Sequence, residues 1–139
     1  MKKLDHVAVA VKSIEDMRQL FTDLLGVEPE LENIPDENVN TAVYNLNDVS
    51  IELIEPAGEE GPINRFLDKR GNGLHHICFE VDNIEDAVKE YSSKGFEVID
   101  STPKRGTGGK QIVFLHPKST GGILIELNSI PAEARKSDD

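Results

Sequence analysis

Two histidines and two glutamates stand at matching places in the two halves of the 139-residue chain. His6 and His76 are 70 residues apart, and Glu52 and Glu126 are 74 residues apart. Each glutamate is set in an apolar frame, SIELIEP for the first and ILIELN for the second. Because a carboxylate is costly to bury unless it is paired or bound to a metal ion, these four side chains are candidate metal ligands.

The chemistry of this ligand set favours one divalent cation. Two neutral imidazoles and two carboxylates balance its charge, which removes the cost of burying the glutamates. Mixed nitrogen and oxygen ligation suits cobalt, manganese, nickel, iron or zinc, and does not by itself distinguish among them. An octahedral shell then leaves two positions for substrate oxygen atoms, so the ion would polarise a carbonyl group. A single strand histidine or glutamate is more often an ordinary residue, but four in a repeated frame favour a metal site.

The four residues belong to an internal repeat. The segment LDHVAVAVKSIEDMRQLFTDLLGVEP from Leu4 lines up with LHHICFEVDNIEDAVKEYSSKGFEVI from Leu74, so that His6 matches His76. Helical solenoids need three or more copies to be stable, so two copies indicate a pseudosymmetric pair of modules. We expect one domain, 1–139, made of module one at about 4–56, a linking helix at about 62–70 and module two at about 73–128.

The elements that must position the four residues are read from the apolar pattern. In each copy the period changes from two to about 3.6, which is typical of a strand followed by a helix. Alternation places His6 and His76 on the strand face that points away from the helix. Ser13 and Asn83 are the predicted helix caps. The predicted apolar sides of the helices are Ile14, Met17, Phe21, Leu24 and Leu25 in the first, and Ile84, Ala87, Val88 and Tyr91 in the second.

Three more strand-like runs follow each helix. They lie near 28–32, 39–46 and 49–54 in module one, and near 97–99, 111–116 and 122–128 in module two. Asn47-Asp48 is the predicted hairpin turn between the last two strands of module one. Each module is therefore predicted to be βαβββ. The predicted fold class is α+β, with the modules paired by pseudo-twofold symmetry around a curved mixed sheet.

Composition restricts the partners and the location. The formal net charge of -11 repels nucleic acid phosphates and anionic membranes, so we expect neither as a partner. No apolar run approaches the roughly 20 residues of a membrane span. The single cysteine, Cys78, cannot form an internal disulfide and is expected to be a small buried residue, which makes the cytoplasm the default location.

Four basic residues are concentrated in one fifteen-residue stretch of this acidic chain. They leave room for a local anion site, and therefore for a phosphorylated small ligand. The stretch includes the glycine-rich run KRGTGGK, which lacks the spacing of a P-loop and fits a flexible loop equally well. The four residues are Lys104, Arg105, Lys110 and Lys118.

Three stretches carry a resemblance to a known family: the opening DHVAVAV, the central IELIEP with GPINRFLDKRGNGLHHICFEV, and the closing FLHPKSTGGILIEL. From Leu4 to Leu127 the chain resembles the vicinal oxygen chelate, or glyoxalase-like, superfamily and, within it, the methylmalonyl-CoA epimerases. The resemblance implies one divalent metal ion, an acyl-CoA small-molecule substrate whose phosphates meet the four basic residues, and a homodimer. The metal ligands that it implies are His6, Glu52, His76 and Glu126.

The reaction that the resemblance implies is epimerisation of methylmalonyl-CoA between its 2R and 2S forms. A proton alpha to the thioester is removed, which leaves an enolate, and is returned on the opposite face. Glu126 is the first candidate base and Glu52 the second, with ligand and base roles not separable at this point. Some members have a glutamate base in the third strand, where this chain has Thr41, and threonine cannot take that role.

Two other functions fit the same fold. A glyoxalase I type lactoylglutathione lyase uses a similar ligand set and a related proton shuttle, although the HPKSTGG stretch here resembles the epimerases. Non-catalytic small-molecule-binding proteins of this fold commonly lack the full ligand set that this chain has. The sequence therefore favours the epimerase.

Overall fold

The computed structural model describes residues 3–131 and 134. Within them, three α-helices and eight β-strands follow the predicted order, with a βαβββ series on each side of α2. Among the described residues, no helix is long and apolar enough to cross a membrane. The first half contains β1 Lys3–Ala10, α1 Ile14–Leu25, β2 Glu30–Ile34, β3 Val39–Leu46 and β4 Val49–Pro56, and α2 is Pro62–Arg70. The second half contains β5 Gly73–Glu80, α3 Ile84–Ser93, β6 Val98–Arg105, β7 Gln111–Leu115 and β8 Ile125–Ser129. Short 3₁₀ helices lie at Pro35–Glu37, Thr107–Gly109 and Pro117–Ser119.

The chain divides into two compact units. The N-terminal unit is Asp5–His76, and the C-terminal unit contains the described residues 3–4, 77–131 and 134. The strand order is β2-β3-β4-β1 in the first unit and β5-β8-β7-β6 in the second, although the first residues of β5, 73–76, belong to the first unit. β1 pairs with β4 and β5 with β8 in parallel, whereas the other pairs within each unit are antiparallel. Each unit therefore contains a mixed sheet, as the pattern predicted.

The two faces of β1 pack against different helices. Val9 belongs to the apolar cluster that includes the α1 residues Met17 and Phe21. Ala8 and Ala10 are fully buried in a separate cluster that includes residues of α2. His6 alternates with the valines and therefore lies on the same face as these alanines, which confirms the predicted parity.

The C-terminal unit uses the same alternation around α3. Leu127 and Phe79 belong to the apolar cluster that packs on α3. Alternation then places Glu126 and Cys78 on the opposite face of the sheet. Cys78 is fully buried, as expected. The predicted apolar side of α3 is confirmed, since Ile84, Ala87 and Tyr91 are buried and Val88 packs against them.

Most local predictions for the helices are confirmed, with one exception on α1. The Ser13 and Asn83 side chains accept hydrogen bonds from backbone N–H groups in the first turns of α1 and α3. Leu24, which we assigned to the apolar side of α1, is instead 70% exposed. It lies about 80° around the helix from Ile14, at the edge of the stripe, and in the last turn.

Strand boundaries differ from the predictions in both units. β2 begins and ends two residues later than predicted, and β8 begins at Ile125 rather than near residue 122. β6 continues to Arg105, well beyond the predicted run at 97–99. Most residues of β6 are polar and exposed, so the strand has no apolar alternation from which its length could be predicted. Its pairing with β7 is irregular between Ile99 and Lys104.

The N-terminus of α1 is fixed by a carboxylate from β4. Glu55 Oε1 accepts a hydrogen bond from the Ile14 backbone N–H at 2.8 Å. Its Oε2 accepts another from Asn40 Nδ2 at 3.1 Å. The negative charge also lies at the positive end of the helix dipole. Glu55 therefore ties α1 to the same strand that carries Glu52.

We expect Glu55→Ala to lower the free energy of unfolding by about 1–3 kcal/mol, because hydrogen bonds to a charged group are lost and a helix N–H loses its acceptor. Urea unfolding followed by circular dichroism measures the change. The matched control is Glu59→Ala, since Glu59 is exposed in a loop, and it should change stability by less than about 0.5 kcal/mol. Equal stability of the two variants would contradict the assigned role of Glu55.

Candidate active site

Three of the four predicted ligands lie in the N-terminal unit, and all three are buried. His6 on β1, Glu52 on β4 and His76 on β5 are 4%, 5% and 7% exposed. The parallel pairing of β1 and β4 places Ala8 opposite Glu52, two residues from His6 on the same strand face. As a result, His6 Nε2 lies 3.5 Å from Glu52 Oε2.

The second histidine meets the first in the same unit. The ring centroids of His6 and His76 are 5.5 Å apart, and the rings are inclined at 72°. Strand alternation brings His6 and Glu52 to one face, and the ring contact adds His76 to them. The structure thus brings together two imidazoles and one carboxylate of the predicted set.

The fourth predicted ligand, Glu126, lies in the C-terminal unit at the matching place. It is 4% exposed and lies on β8 in register with Cys78 of β5. Glu52 on β4 is in register with Ala8 of β1 in the same way, and Ala8 and Cys78 are equivalent in the sequence repeat. The two glutamates therefore occupy equivalent positions in their own units.

Two residues that the sequence analysis did not single out contact the histidines. Asp5 Oδ2 lies 2.8 Å from His6 Nδ1. His75 Nδ1 lies 2.8 Å from His76 Nδ1. Both residues directly precede the histidine that they contact, and both carry groups that can bond an imidazole nitrogen. The sequence shows that each residue is the direct neighbour of its histidine. It does not predict the contact, because adjacent strand residues ordinarily point to opposite faces.

The residues of the N-terminal unit fit a divalent transition metal. Imidazole nitrogen and carboxylate oxygen are ligands that such ions take at about 2.0–2.2 Å, so two of them on one ion are separated by about 3.0–3.4 Å. The 3.5 Å between His6 Nε2 and Glu52 Oε2 is close to that separation. Burial of the carboxylate beside the imidazole gives a physical reason for a cation there.

Thr41 lies on the same sheet face as Glu52. Thr41 is opposite Ile54, and Val43 is opposite Glu52, in the antiparallel pair of β3 and β4. Thr41 is therefore one diagonal step from Glu52, and it is 2% exposed. The side chain beside Glu52 at this position is therefore a hydroxyl and not a carboxylate.

The four basic residues do not form one cluster. Lys104 and Arg105 end β6, and Lys110 directly precedes β7, so these three lie at one end of the β6–β7 hairpin. Lys118 lies beyond the opposite end of β7, a strand that spans about 17 Å. Lys110 also contacts Glu80 at 3.7 Å. Any anion site at the hairpin end therefore involves the first three residues.

Comparison with known proteins gives consistent results. The sequence profile of the Glyoxalase/Bleomycin resistance protein/Dioxygenase superfamily matches residues 5–114. Over 127 residues the chain is 42% identical to the mitochondrial methylmalonyl-CoA epimerase of Dictyostelium discoideum, covering 90% of this chain and 76% of that protein. Over 133 residues it is 40% identical to the ethylmalonyl-CoA/methylmalonyl-CoA epimerase of Cereibacter sphaeroides, covering 92% of this chain and 98% of that protein.

Solved structures agree with the sequence matches. A methylmalonyl-CoA epimerase in complex with methylmalonyl-CoA and NH4+ matches with a TM-score of 0.90 at 29% identity, over 95% of this chain and 96% of that chain. This likeness shows the glyoxalase-like fold that the sequence predicted. The chain therefore belongs to the Glyoxalase/Bleomycin resistance protein/Dioxygenase superfamily and, within it, to the family of the methylmalonyl-CoA epimerases.

Proposed function

We propose that the chain is a metal-dependent epimerase that interconverts the 2R and 2S forms of methylmalonyl-CoA. The observation that carries the proposal is the buried group of His6, Glu52 and His76, in a chain whose relatives are named for this activity. The cytoplasmic location and the homodimer stay predictions.

His6, Glu52, His76 and Glu126 are the proposed ligands of one divalent ion, with cobalt as the first candidate and manganese, nickel or zinc as the others. The contacts of His6 with Glu52 and with the ring of His76 support this set, and the matching register of the two glutamates supports the inclusion of Glu126. When bound, a divalent cation supplies positive charge that stabilises negative charge on nearby oxygen atoms.

The proposed reaction needs a carboxylate to take a proton from C2, alpha to the thioester, and a proton source on the opposite face. Removal of the proton leaves an enolate, and delivery of a proton from the source on the other face inverts C2. Glu126 is the first candidate base. Glu52 is the second, and its diagonal neighbour Thr41 cannot take the role of a base. Both glutamates are buried, and burial limits competing proton exchange with water.

The basic end of the β6–β7 hairpin is the proposed contact for the CoA phosphates. Lys104 and Arg105 are exposed there. The Arg105 side chain extends toward the loop between the strands. Its Nη1 lies 3.8 Å from the position that a Cβ atom on Gly109 would occupy. Lys110 lies at the same end, whereas Lys118, at the far end of β7, stays a separate prediction. Such charges are needed because the chain as a whole is acidic and repels anions.

The metal site is tested by linkage between binding and stability. We expect Co2+ at a free concentration of about 100 Kd to raise the free energy of unfolding of the EDTA-treated protein by about 2.7 kcal/mol. Glu52→Leu and Glu126→Leu should each lose most of that gain, because each removes a ligand. Glu30→Leu is the matched control, since Glu30 is exposed on β2, and it should keep the gain. Full stabilisation of Glu52→Leu by Co2+ would contradict the ligand assignment.

The reaction is tested by proton exchange in deuterated water. Metal-loaded protein should replace the C2 proton of methylmalonyl-CoA with deuterium, as followed by NMR, whereas the EDTA-treated protein and His76→Ala should not. Glu97→Gln, at an exposed position, should behave as the wild type. Absence of exchange in the loaded wild type would refute the epimerase, and the hemithioacetal of methylglyoxal and glutathione would be tested next.

The same assay on each separate epimer distinguishes the two bases. If Glu126 and Glu52 each serve one face, Glu126→Gln and Glu52→Gln should each slow inversion by about 10²–10⁴-fold. Each variant should still exchange the proton of one epimer without inverting it, and the two should prefer opposite epimers. If either variant lost exchange on both epimers, the assignment of that glutamate as the base for one face only would be wrong.

The CoA contact is tested with a full and a truncated substrate. The double variant Lys104→Glu with Arg105→Glu should raise KM for methylmalonyl-CoA by about tenfold, which corresponds to about 1.4 kcal/mol of lost binding. With the N-acetylcysteamine thioester, which has no phosphates, KM should not change. Lys89→Glu, at an exposed position on α3, is the matched control. An equal rise in KM for both substrates would contradict a phosphate contact.

A further inference from the structure

We infer that Asp5 and His75 are positioning residues, which fix the tautomer and the ring orientation of His6 and His76 so that each presents Nε2 as its metal-binding atom. The inference rests on the proposed function for the role of the two histidines. The contacts themselves all lie within the N-terminal unit.

The carboxylate of Asp5 determines the tautomer of His6. Asp5 Oδ2 lies 2.8 Å from His6 Nδ1, and an ionised carboxylate can only accept a hydrogen bond. In the neutral imidazole, Nδ1 must then carry the proton, and Nε2 keeps its lone pair. That same Nε2 is the atom 3.5 Å from Glu52 Oε2. The contact with Asp5 therefore selects Nε2 as the metal-binding nitrogen and also sets the direction of its lone pair.

His75 acts on His76 through a bond between two Nδ1 atoms. At 2.8 Å one of these nitrogens donates and the other accepts, so the tautomers of the two rings are coupled. For neutral His76 to offer the lone pair of Nε2, its own Nδ1 must donate. His75 must then accept at Nδ1 and carry its proton at Nε2. The pair thus has one arrangement that leaves His76 able to bind a metal through Nε2.

The linking helix α2 supports His75 from the other side. The edge-to-face contact of Phe66 with His75 has ring centroids 5.0 Å apart at 78°. The Arg70 guanidinium lies over the Phe66 ring, 5.5 Å from its centroid. Two apolar residues of α2, Ile63 and Leu67, anchor the helix in the cluster with Ala8 and Ala10. The orientation of His75 is therefore set by a packed helix rather than by a loop.

Asp5 and His75 are equivalent in the sequence repeat but differ in chemistry. Each directly precedes its histidine in the first strand of its repeat, and each contacts Nδ1 of that histidine. A carboxylate can only accept from His6 Nδ1, whereas the Nδ1 of a neutral imidazole can either accept from His76 Nδ1 or donate to it. We therefore expect His6 to be held more strictly than His76, and loss of Asp5 to have the larger effect.

The first test reads the tautomers in the metal-free protein, so it does not depend on metal binding or activity. Long-range proton–nitrogen NMR on ¹⁵N-labelled protein at a pH where the imidazoles are neutral should show Nδ1–H and unprotonated Nε2 for both His6 and His76. In Asp5→Ala the His6 signals should change to those of the Nε2–H tautomer or of a mixture. His75→Phe keeps an aromatic ring against Phe66. In this variant the His76 signals should change to those of the Nε2–H tautomer or of a mixture.

Conservative variants separate positioning from simple damage. Asp5→Asn and His75→Asn each retain an acceptor oxygen near the position of the lost atom, so they should restore the wild-type tautomer at least in part. Asp23→Ala, at an exposed position on α1, is the control and should leave all imidazole signals unchanged. Wild-type tautomers in both Asp5→Ala and His75→Phe would overturn the inference.

The second test measures Co2+ affinity by direct titration. Loss of a group that orients a metal-binding histidine typically lowers affinity about 10–100-fold, and we expect Asp5→Ala to lie in this range with His75→Phe at its lower end. If the wild type bound no Co2+, the proposed metal site would fail, while the tautomer result would still decide whether Asp5 and His75 hold the rings. Unchanged Co2+ affinity in both variants would overturn their role toward the metal.

Discussion

The cost of burying Glu52 is the constraint on which the N-terminal unit depends. A carboxylate in the middle of an apolar strand loses its hydration, and that loss is tolerated only where opposite charge or hydrogen-bond donors replace the water. The structure places an imidazole nitrogen 3.5 Å from this carboxylate and a second imidazole ring beside the first. The other half of the chain repeats the same cost, because Glu126 is equally buried in the same kind of strand. The proposed cation would offset this cost in both copies.

In the N-terminal βαβββ series, strand pairing and alternation are sufficient to place His6 and Glu52 on one face of the sheet. Parallel pairing of β1 with β4 needs a long connection, which α1, β2 and β3 provide. Parallel pairing and alternation then place a histidine near the start of β1 and a glutamate in the middle of β4 on one face, while α1 covers the other face. Glu55 is three residues after Glu52, so it points to the opposite face and binds the N-terminus of α1. One strand thus carries both the candidate ligand and the group that fixes the helix.

The sequence could predict the parts of the site that depend on period and repetition. The parity of His6 follows from its alternation with the valines, and the repeat then assigns the same parity to His76. The sequence could not predict the hydrogen bonds of Asp5 and His75 to the neighbouring rings, because these bonds depend on side-chain torsions rather than on strand direction. β6 was also predicted too short, since an exposed polar strand has no apolar alternation. The separation of Lys118 from the other three basic residues follows from the length of β7 and was hidden by their closeness in the sequence.

The candidate ligands lie within strands and the basic residues at strand ends, which suggests how such a fold can keep one chemistry and change its substrate. The candidate ligands and their supporting residues lie on paired strands, and α2 buttresses one of them through Phe66 and His75. Groups held in this way keep their geometry to within the tolerance that catalysis demands. The basic residues proposed for CoA lie at strand ends and in the loops between them, where insertions and substitutions disturb little packing. Substitution in the sheet itself is more consequential, and Thr41 illustrates it. If Glu52 serves as both ligand and base, as proposed, metal binding and proton transfer would compete for the same oxygen atoms.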